Sequence, residues 1–452
     1  MANWTRRDFL AGSGVAAGAL ALGAACTSNG SGTSTADDGN SNGGGSGDDD
    51  RPDFDARDWA SVREQFSLDT ELRQYAAFLL AGHPRMVADA IDGYRSALDR
   101  DPQKALGDAG TLEGNARDLA GTYLDADPKD IALTDSTTAG LGLVYGGMRL
   151  SSRLDVITTV HDHYATHEAL RLASDRDGFQ VRRIALYEDP AQATLDGMVG
   201  RIVDAVIPAT RVVALTWVHS STGVRLPIKS ICGAIAEINA GRSEDGRILV
   251  CLDGAHGLGV EARTVNQLGV DFLIAGTHKW LFGPRGTGIV WGKPEAWARL
   301  RPSVPSFAPV AIEAWANGTT PAAQWPGQLA TPGGYHSFEH RWALGEAFKF
   351  HLMIGRDRVA DRTRVQAAAL KEALAQIEGV KVLTPMDEKL SSGIVAVQLI
   401  RRDPFEMIEL LRTHNIVASL GPHNPRTLRF GPSIVTTPDE GEELVESIAA
   451  LA

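Results

Sequence analysis

The stretch AGTHKWLFGPRGTG, Ala275 to Gly288, decides how this chain folds. It follows an apolar run, Val270, Phe272, Leu273 and Ile274, that reads as a buried strand. The strand carries Thr277, His278 and Lys279 to a loop at its carboxyl end, the edge where open α/β sheets gather ligands. Trp280, Leu281 and Phe282 flank the lysine. Apolar neighbours desolvate an amine and lower its pKa, and the neutral amine is the form that attacks an aldehyde.

A loop lysine alone is usually a solvated charge. A second block gives this one a partner. In RILVCLDGAHGLG, Arg247 to Gly259, the run Ile248 to Leu252 reads as another buried strand, with Asp253 at its end. Pyridoxal phosphate needs such a pair, a lysine for its aldehyde and an acid facing its ring nitrogen. The charge on the acid keeps the ring protonated and electron-poor.

D-x-A-H-G followed by T-H-K-W-x-x-G-P-x-G resembles the class V aminotransferase group of fold type I pyridoxal-phosphate enzymes, over roughly residues 54 to 452. That group includes cysteine desulfurases, kynureninase, serine–glyoxylate transaminases and isopenicillin N epimerase, and the sequence is most similar to the last branch. The resemblance implies an α/β fold in two parts. A large domain with a mostly parallel, doubly wound sheet spans residues 81–340, and a smaller C-terminal α/β domain spans 341–452. It also implies a homodimer, since in relatives a loop matching the region of Gly334 reaches the neighbour's phosphate.

Strand–helix alternation supports the sheet independently: strands near Ile131, Val156–Val160, Val181–Leu186 and Arg211–Val218, with a helix over Leu195–Val206. In ALTDSTTAGL a short strand runs into Ser136, Thr137 and Thr138, and a helix follows. Hydroxyls beside the free N–H groups of a helix start suit a phosphate dianion; a plain N-cap would need only one of them.

The segment His161-Asp-His-Tyr-Ala-Thr-His167 has two readings. His161, His163 and His167 are spaced to bind a metal, which would make the chain a metal-dependent hydrolase. Alternatively one flat side chain covers the cofactor ring; alignment on the family's E-H-x-A selects His163, and another alignment selects Tyr164. By the same resemblance Ser220 stands where relatives place a polar residue near the ring hydroxyl, and His256 where they place glutamine or histidine. His278 and Thr277 are the expected phosphate donors, and Arg429 the fork for a substrate carboxylate. Asp253, His256 and Lys279 are thus the catalytic candidates.

No cysteine follows Cys251, and Ser419 stands where desulfurases carry a second arginine. These departures exclude cysteine desulfurase chemistry on the sequence reading. Transamination, epimerisation and elimination remain open, as does a protein that binds the cofactor without catalysis.

The chain has 452 residues, 43% hydrophobic and 22% charged, with a formal charge of −12 that argues against nucleic acid as a partner. Thr5-Arg-Arg-Asp-Phe-Leu10 and the Ala/Gly/Leu run to Ala25 resemble a twin-arginine export signal. Leu22-Gly-Ala-Ala-Cys26 resembles a lipoprotein box, making residues 1–26 the expected signal and Cys26 the expected lipid anchor. Residues 27–53, nearly all Ser, Gly, Thr, Asn and Asp, read as a flexible tether to a periplasmic or cell-surface enzyme. Residues 54–80 are then an N-terminal arm, with an amphipathic helix expected over Ser61–Leu80.

Overall fold

In the computed structural model the described residues are 54–321, 324–422 and 426–452. The expected export signal, Cys26 anchor and tether lie outside them.

The chain forms thirteen strands among these residues. The first is β1 (Arg73–Gln74) in the arm. Seven build the large sheet: β2 (Ile131–Thr134), β3 (Asp155–Thr159), β4 (Gln180–Ile184), β5 (Thr210–Thr216), β6 (Leu249–Asp253), β7 (Phe272–Gly276) and β8 (Gly288–Gly292). Their order is β2-β8-β7-β6-β5-β3-β4. Pairs β3–β4, β3–β5, β5–β6 and β6–β7 are parallel, while β8 runs antiparallel between β7 and β2. Every residue of β2, β3, β6, β7 and β8 is buried. That is why their sequences are continuous apolar runs rather than alternating ones: helices cover both sheet faces.

From β3 the chain winds outward to β4, then returns to β5 and winds the other way through β6 and β7. The reversal opens a crevice at the carboxyl ends of β3 and β5. Asp162 stitches that crevice, accepting from Thr158 Oγ1 (2.8 Å), Thr159 N (2.6 Å) and Thr216 N (2.7 Å).

The smaller domain holds β9 (Val380–Val382), β10 (Val395–Leu399), β11 (Ile416–Val417), β12 (Ser419–Leu420) and β13 (Thr427–Phe430). Four of them make an antiparallel sheet in the order β12-β13-β10-β9. Leu370, Leu374, Met407, Leu411, Leu444 and Ile448, from three helices, share its core. Gly223 lets the two domains meet closely: at φ +70° it turns against the small domain, where a Cβ would lie 2.3 Å from the Ile394 carbonyl oxygen.

Two expectations change. The arm is helical only over Trp59–Glu64, capped by Asp58, because β1 leaves to pair with β11. Backbone pairing across domains overrides the local amphipathic pattern. The expected 340/341 boundary falls inside helix Phe338–Ile354, whose Leu344, Ala347 and Phe348 lie in the large core, so the chain leaves the large domain after that helix. The antiparallel β8 had no separate signal, since its GIVWG run looks like the tail of a turn.

Candidate active site

Parallel pairing of β6 and β7 sets Asp253 beside Ile274, so both chains end at the same sheet edge. Asp253 and the Lys279 loop are therefore neighbours, as the sequence required. Asp253 is 2% exposed. Its Oδ1 accepts from Ala255 N (2.9 Å) and its Oδ2 from Thr166 Oγ1 (3.3 Å). Burial is the main cause that raises its pKa, to about 6, against the pull of these donors and of Lys279.

Lys279 faces the reverse logic. Burial lowers its pKa to about 8, Asp253 opposes that drop and Arg429 adds to it. Its Nζ lies 3.4 Å from His256 Nε2. His256 is itself buried, and burial together with Lys279 and Arg429 holds its pKa well below the ordinary histidine value. An uncharged imidazole and an easily neutralised amine thus stand next to a carboxylate.

At the other end of the site Ser136 caps helix Thr137–Gly147, accepting from Ala139 N at 3.1 Å. Thr137 Oγ1 accepts from Gly276 N at 2.7 Å, which ties the helix start to β7. A Cβ on Gly276 would lie 3.1 Å from both Thr137 Oγ1 and His278 Cε1, so His278 borders the same corner. Thr138 is exposed at the first turn, where backbone N–H groups lack helical partners. Arg341, which sequence reasoning missed, is buried and donates to Asp135 just before the cap (3.0 Å).

Arg429 is 2% exposed and donates Nη1–H to the Ser220 carbonyl at 2.7 Å. Its guanidinium carbon lies 4.9 Å from the centre of the Phe78 ring. Arg429 Nε, Ser220 Oγ and Ser419 Oγ are buried without hydrogen-bond partners, and Ser419 stands opposite Arg429 in register. Buried polar atoms are normally paired, so three unpaired ones make a place for a ligand's polar group.

Two candidates are not brought in as expected. Thr277 is fully buried, and its hydroxyl is held by Thr287 O (3.1 Å) and Thr287 Oγ1 (2.5 Å), closing the loop instead of facing a phosphate. Tyr164 is 64% exposed on the solvent side of its helix, whereas His163 is near enough to His256 to lower its basicity. The metal reading also fails. His161 Nε2 accepts from Leu186 N (3.1 Å), His163 Nδ1 accepts from Ala165 N (3.1 Å) and His167 Nε2 meets Thr159 O (2.7 Å). Three separate backbone contacts orient the rings apart, and no metal-binding group of three residues exists among the described residues.

Thr166 and Phe78 were also missed. Each acts across a long sequence separation, and neither residue type announces it.

A buried lysine, a carboxylate at the adjoining strand end and a helix start with hydroxyls fit pyridoxal phosphate, whose aldehyde, ring nitrogen and phosphate need those three groups. The class V aminotransferase family model matches residues 81–433, and the chain belongs to that family. It is a pyridoxal-phosphate enzyme of fold type I. Among curated proteins it is 26% identical over 416 residues to the isopenicillin N epimerase of Streptomyces clavuligerus, covering 87% of this chain and 98% of that one. It is 26% identical over 356 residues to a cysteine desulfurase of Enterobacter sp. (strain 638), covering 76% and 82%. Among solved structures, a cystine C–S lyase, C-DES, in complex with its reaction product cysteine persulfide superposes with a TM-score of 0.73. The identity there is 19%, with 85% of this chain and 98% of that chain covered.

These relatives overturn the exclusion of cysteine desulfurases, which are among the curated proteins it resembles over three quarters of its length. A missing downstream cysteine speaks only to one way of receiving sulfur. It does not bear on whether a carbon–sulfur bond is broken.

Proposed function

We propose that this chain is an exported enzyme that removes the Cα proton of an amino acid, with Lys279 as the base. The observation that carries this is a buried amine held at a pKa of about 8 beside the Asp253 carboxylate. Pyridoxal phosphate, when bound, supplies the electron sink that takes up the charge left when a bond at Cα breaks. The protein's share is positional. Asp253 would hold the proton on the ring nitrogen, and His163 would cover the ring face. Ser220 and His256 would stand by the ring oxygen, while Ser136, Thr138, His278 and the N–H groups of the helix start would hold the phosphate. Arg429 binds the substrate carboxylate through its unpaired Nε. Once the proton is off, its return to either face or the loss of a β-substituent share the same first step. The epimerase and desulfurase relatives support that common step.

Solvent exchange tests it. In deuterated buffer the loaded enzyme is expected to place deuterium at Cα of at least one member of a panel of amino acids that includes cysteine. The amide of that amino acid, which lacks the carboxylate, should exchange at least tenfold more slowly. No exchange across the panel sinks the reading.

Two further parts rest on sequence and surface. Replacing Arg6 and Arg7 together by lysine is expected to leave the protein in the cytosol; unchanged export would refute the twin-arginine route, with Cys26 as its lipid anchor. A homodimer is supported by exposed apolar residues, Leu79, Leu80, Phe307 and Tyr335. Light scattering of the full chain should give about twice 48.2 kDa, and a monomer mass would refute it.

A further inference from the structure

Trp280 follows Lys279 directly and is 2% exposed. Its ring stacks on Phe78, with centroids 5.9 Å apart and planes at 20°. Phe78 also meets the His256 ring edge-on at 6.0 Å. Between these rings the indole Nε1 points at His256 Nδ1 from 3.4 Å. Indole nitrogen can only donate, so Nδ1 must accept. A neutral imidazole that accepts at Nδ1 carries its proton on Nε2, the atom 3.4 Å from Lys279 Nζ.

We propose that Trp280 is a positioning residue that fixes the His256 proton on Nε2 and thereby makes His256 a donor to the unprotonated amine of Lys279. An ammonium has three donors and no lone pair, so a donor aimed at it is repelled, while the free amine accepts. The indole thus acts on the lysine through an imidazole. This rests on the reading of Lys279 as the amine that meets the cofactor aldehyde, and adds a device that favours its neutral form.

The groups around this pair act in known directions. For Lys279, burial and Arg429 disfavour the proton and Asp253 favours it. For His256, burial, Lys279, Arg429, His163 and His278 all disfavour a second proton. His256 therefore stays neutral, and its tautomer alone decides whether it gives or takes a hydrogen bond at Nε2. Without the indole N–H, the other tautomer would offer Lys279 a lone pair and favour the ammonium.

Trp280→Phe removes the donor and keeps an aromatic ring against Phe78. The first measurement is the 15N spectrum of histidine-labelled full chain, cofactor-free, with the His256 signals identified by their loss in His256→Gln. Wild type should show the proton on Nε2; Trp280→Phe should move it wholly or partly to Nδ1. The second is the pH dependence of pyridoxal-phosphate capture, read as growth of the visible band. In wild type the rate should be half-maximal near pH 8, following the amine. The variant should need about one pH unit more, so that capture at neutral pH falls about tenfold. A proton on Nδ1 in wild type overturns the proposal, and so does a variant with unchanged tautomer and midpoint. If the variant does not fold, the wild-type spectrum alone decides. If wild type captures no cofactor at any pH, the reading of Lys279 falls, while the tautomer remains readable.

Discussion

Lys279→Ala is expected to abolish the visible absorption of lysine-bound cofactor and to slow deuterium exchange at Cα by about 10³-fold or more. A positioned acid–base group contributes about 10² to 10⁴, and the same amine is the one proposed to hold the cofactor. Its neighbours His256 and Arg429 cannot replace it. His256 is the adjacent basic group, but burial and the charges around it keep it from binding a proton usefully. Arg429, its pKa lowered by burial only to about 10, stays charged near neutrality and offers no lone pair. Added alkylamine should restore part of the exchange, because the pocket left by the side chain still faces Cα. Full exchange in Lys279→Ala, measured by mass spectrometry of the recovered amino acid, would remove the lysine from the chemistry.

Asp253→Asn is the second large effect, and it separates cofactor chemistry from folding. The asparagine oxygen can still accept from Ala255 N, and its amide can donate to Thr166 Oγ1, so the local hydrogen bonds survive. The charge does not. Hydrogen bonds to charged groups are worth about 1.5–3 kcal/mol, so cofactor affinity should fall about 10- to 100-fold. Exchange at Cα should fall about 10²- to 10³-fold, because the ring nitrogen loses the anion that keeps it protonated. Stability should respond in the opposite direction. In the cofactor-free chain burial raises this carboxyl to about 6, above the roughly 3.9 of an unfolded aspartate. The folded state thus binds the proton more tightly. This group's contribution to stability declines as pH rises from about 4 to 6, and above pH 6 the buried charge is carried at a cost. The asparagine variant should melt no lower than wild type at pH 8 without cofactor, and should gain less on adding it. A variant that binds cofactor as tightly as wild type would show that Asp253 does not face the ring.

The other expected results fall on different links of the same scheme. Failure of exchange with an amide substrate implicates Arg429. The tautomer of His256 concerns only how readily the amine gives up its proton.

Local sequence determined the sheet edge. Two continuous apolar runs, each ending in a chemical residue, read as strands covered on both faces, and parallel strands of one sheet end on the same side. The residue pattern paired Asp253 with Lys279, and the adjacency of β6 and β7 in the sheet brought them to one edge. The hydroxyl run at Ser136 located the helix start equally well, because capping is a matter of residues three apart. The histidine segment shows the limit of such reading. Spacing alone allowed a metal site, and backbone contacts from Leu186, Ala165 and Thr159 decided against it.

Tertiary structure decided what spacing along the chain cannot express. Phe78 reaches Arg429 and Trp280 only because β1 pairs with β11 and draws the arm between the domains. Thr166 meets Asp253 across 87 positions, Arg429 meets Ser220 across 209, and Thr277 turns inward to close its own loop. Such contacts depend on which faces pack together, and packing depends on side-chain volumes throughout both domains rather than on any stretch of residues. The chemistry of the lysine and the acid was written locally. Their pKa values, their hydrogen-bond partners and the walls around them exist only once distant segments exclude water from them.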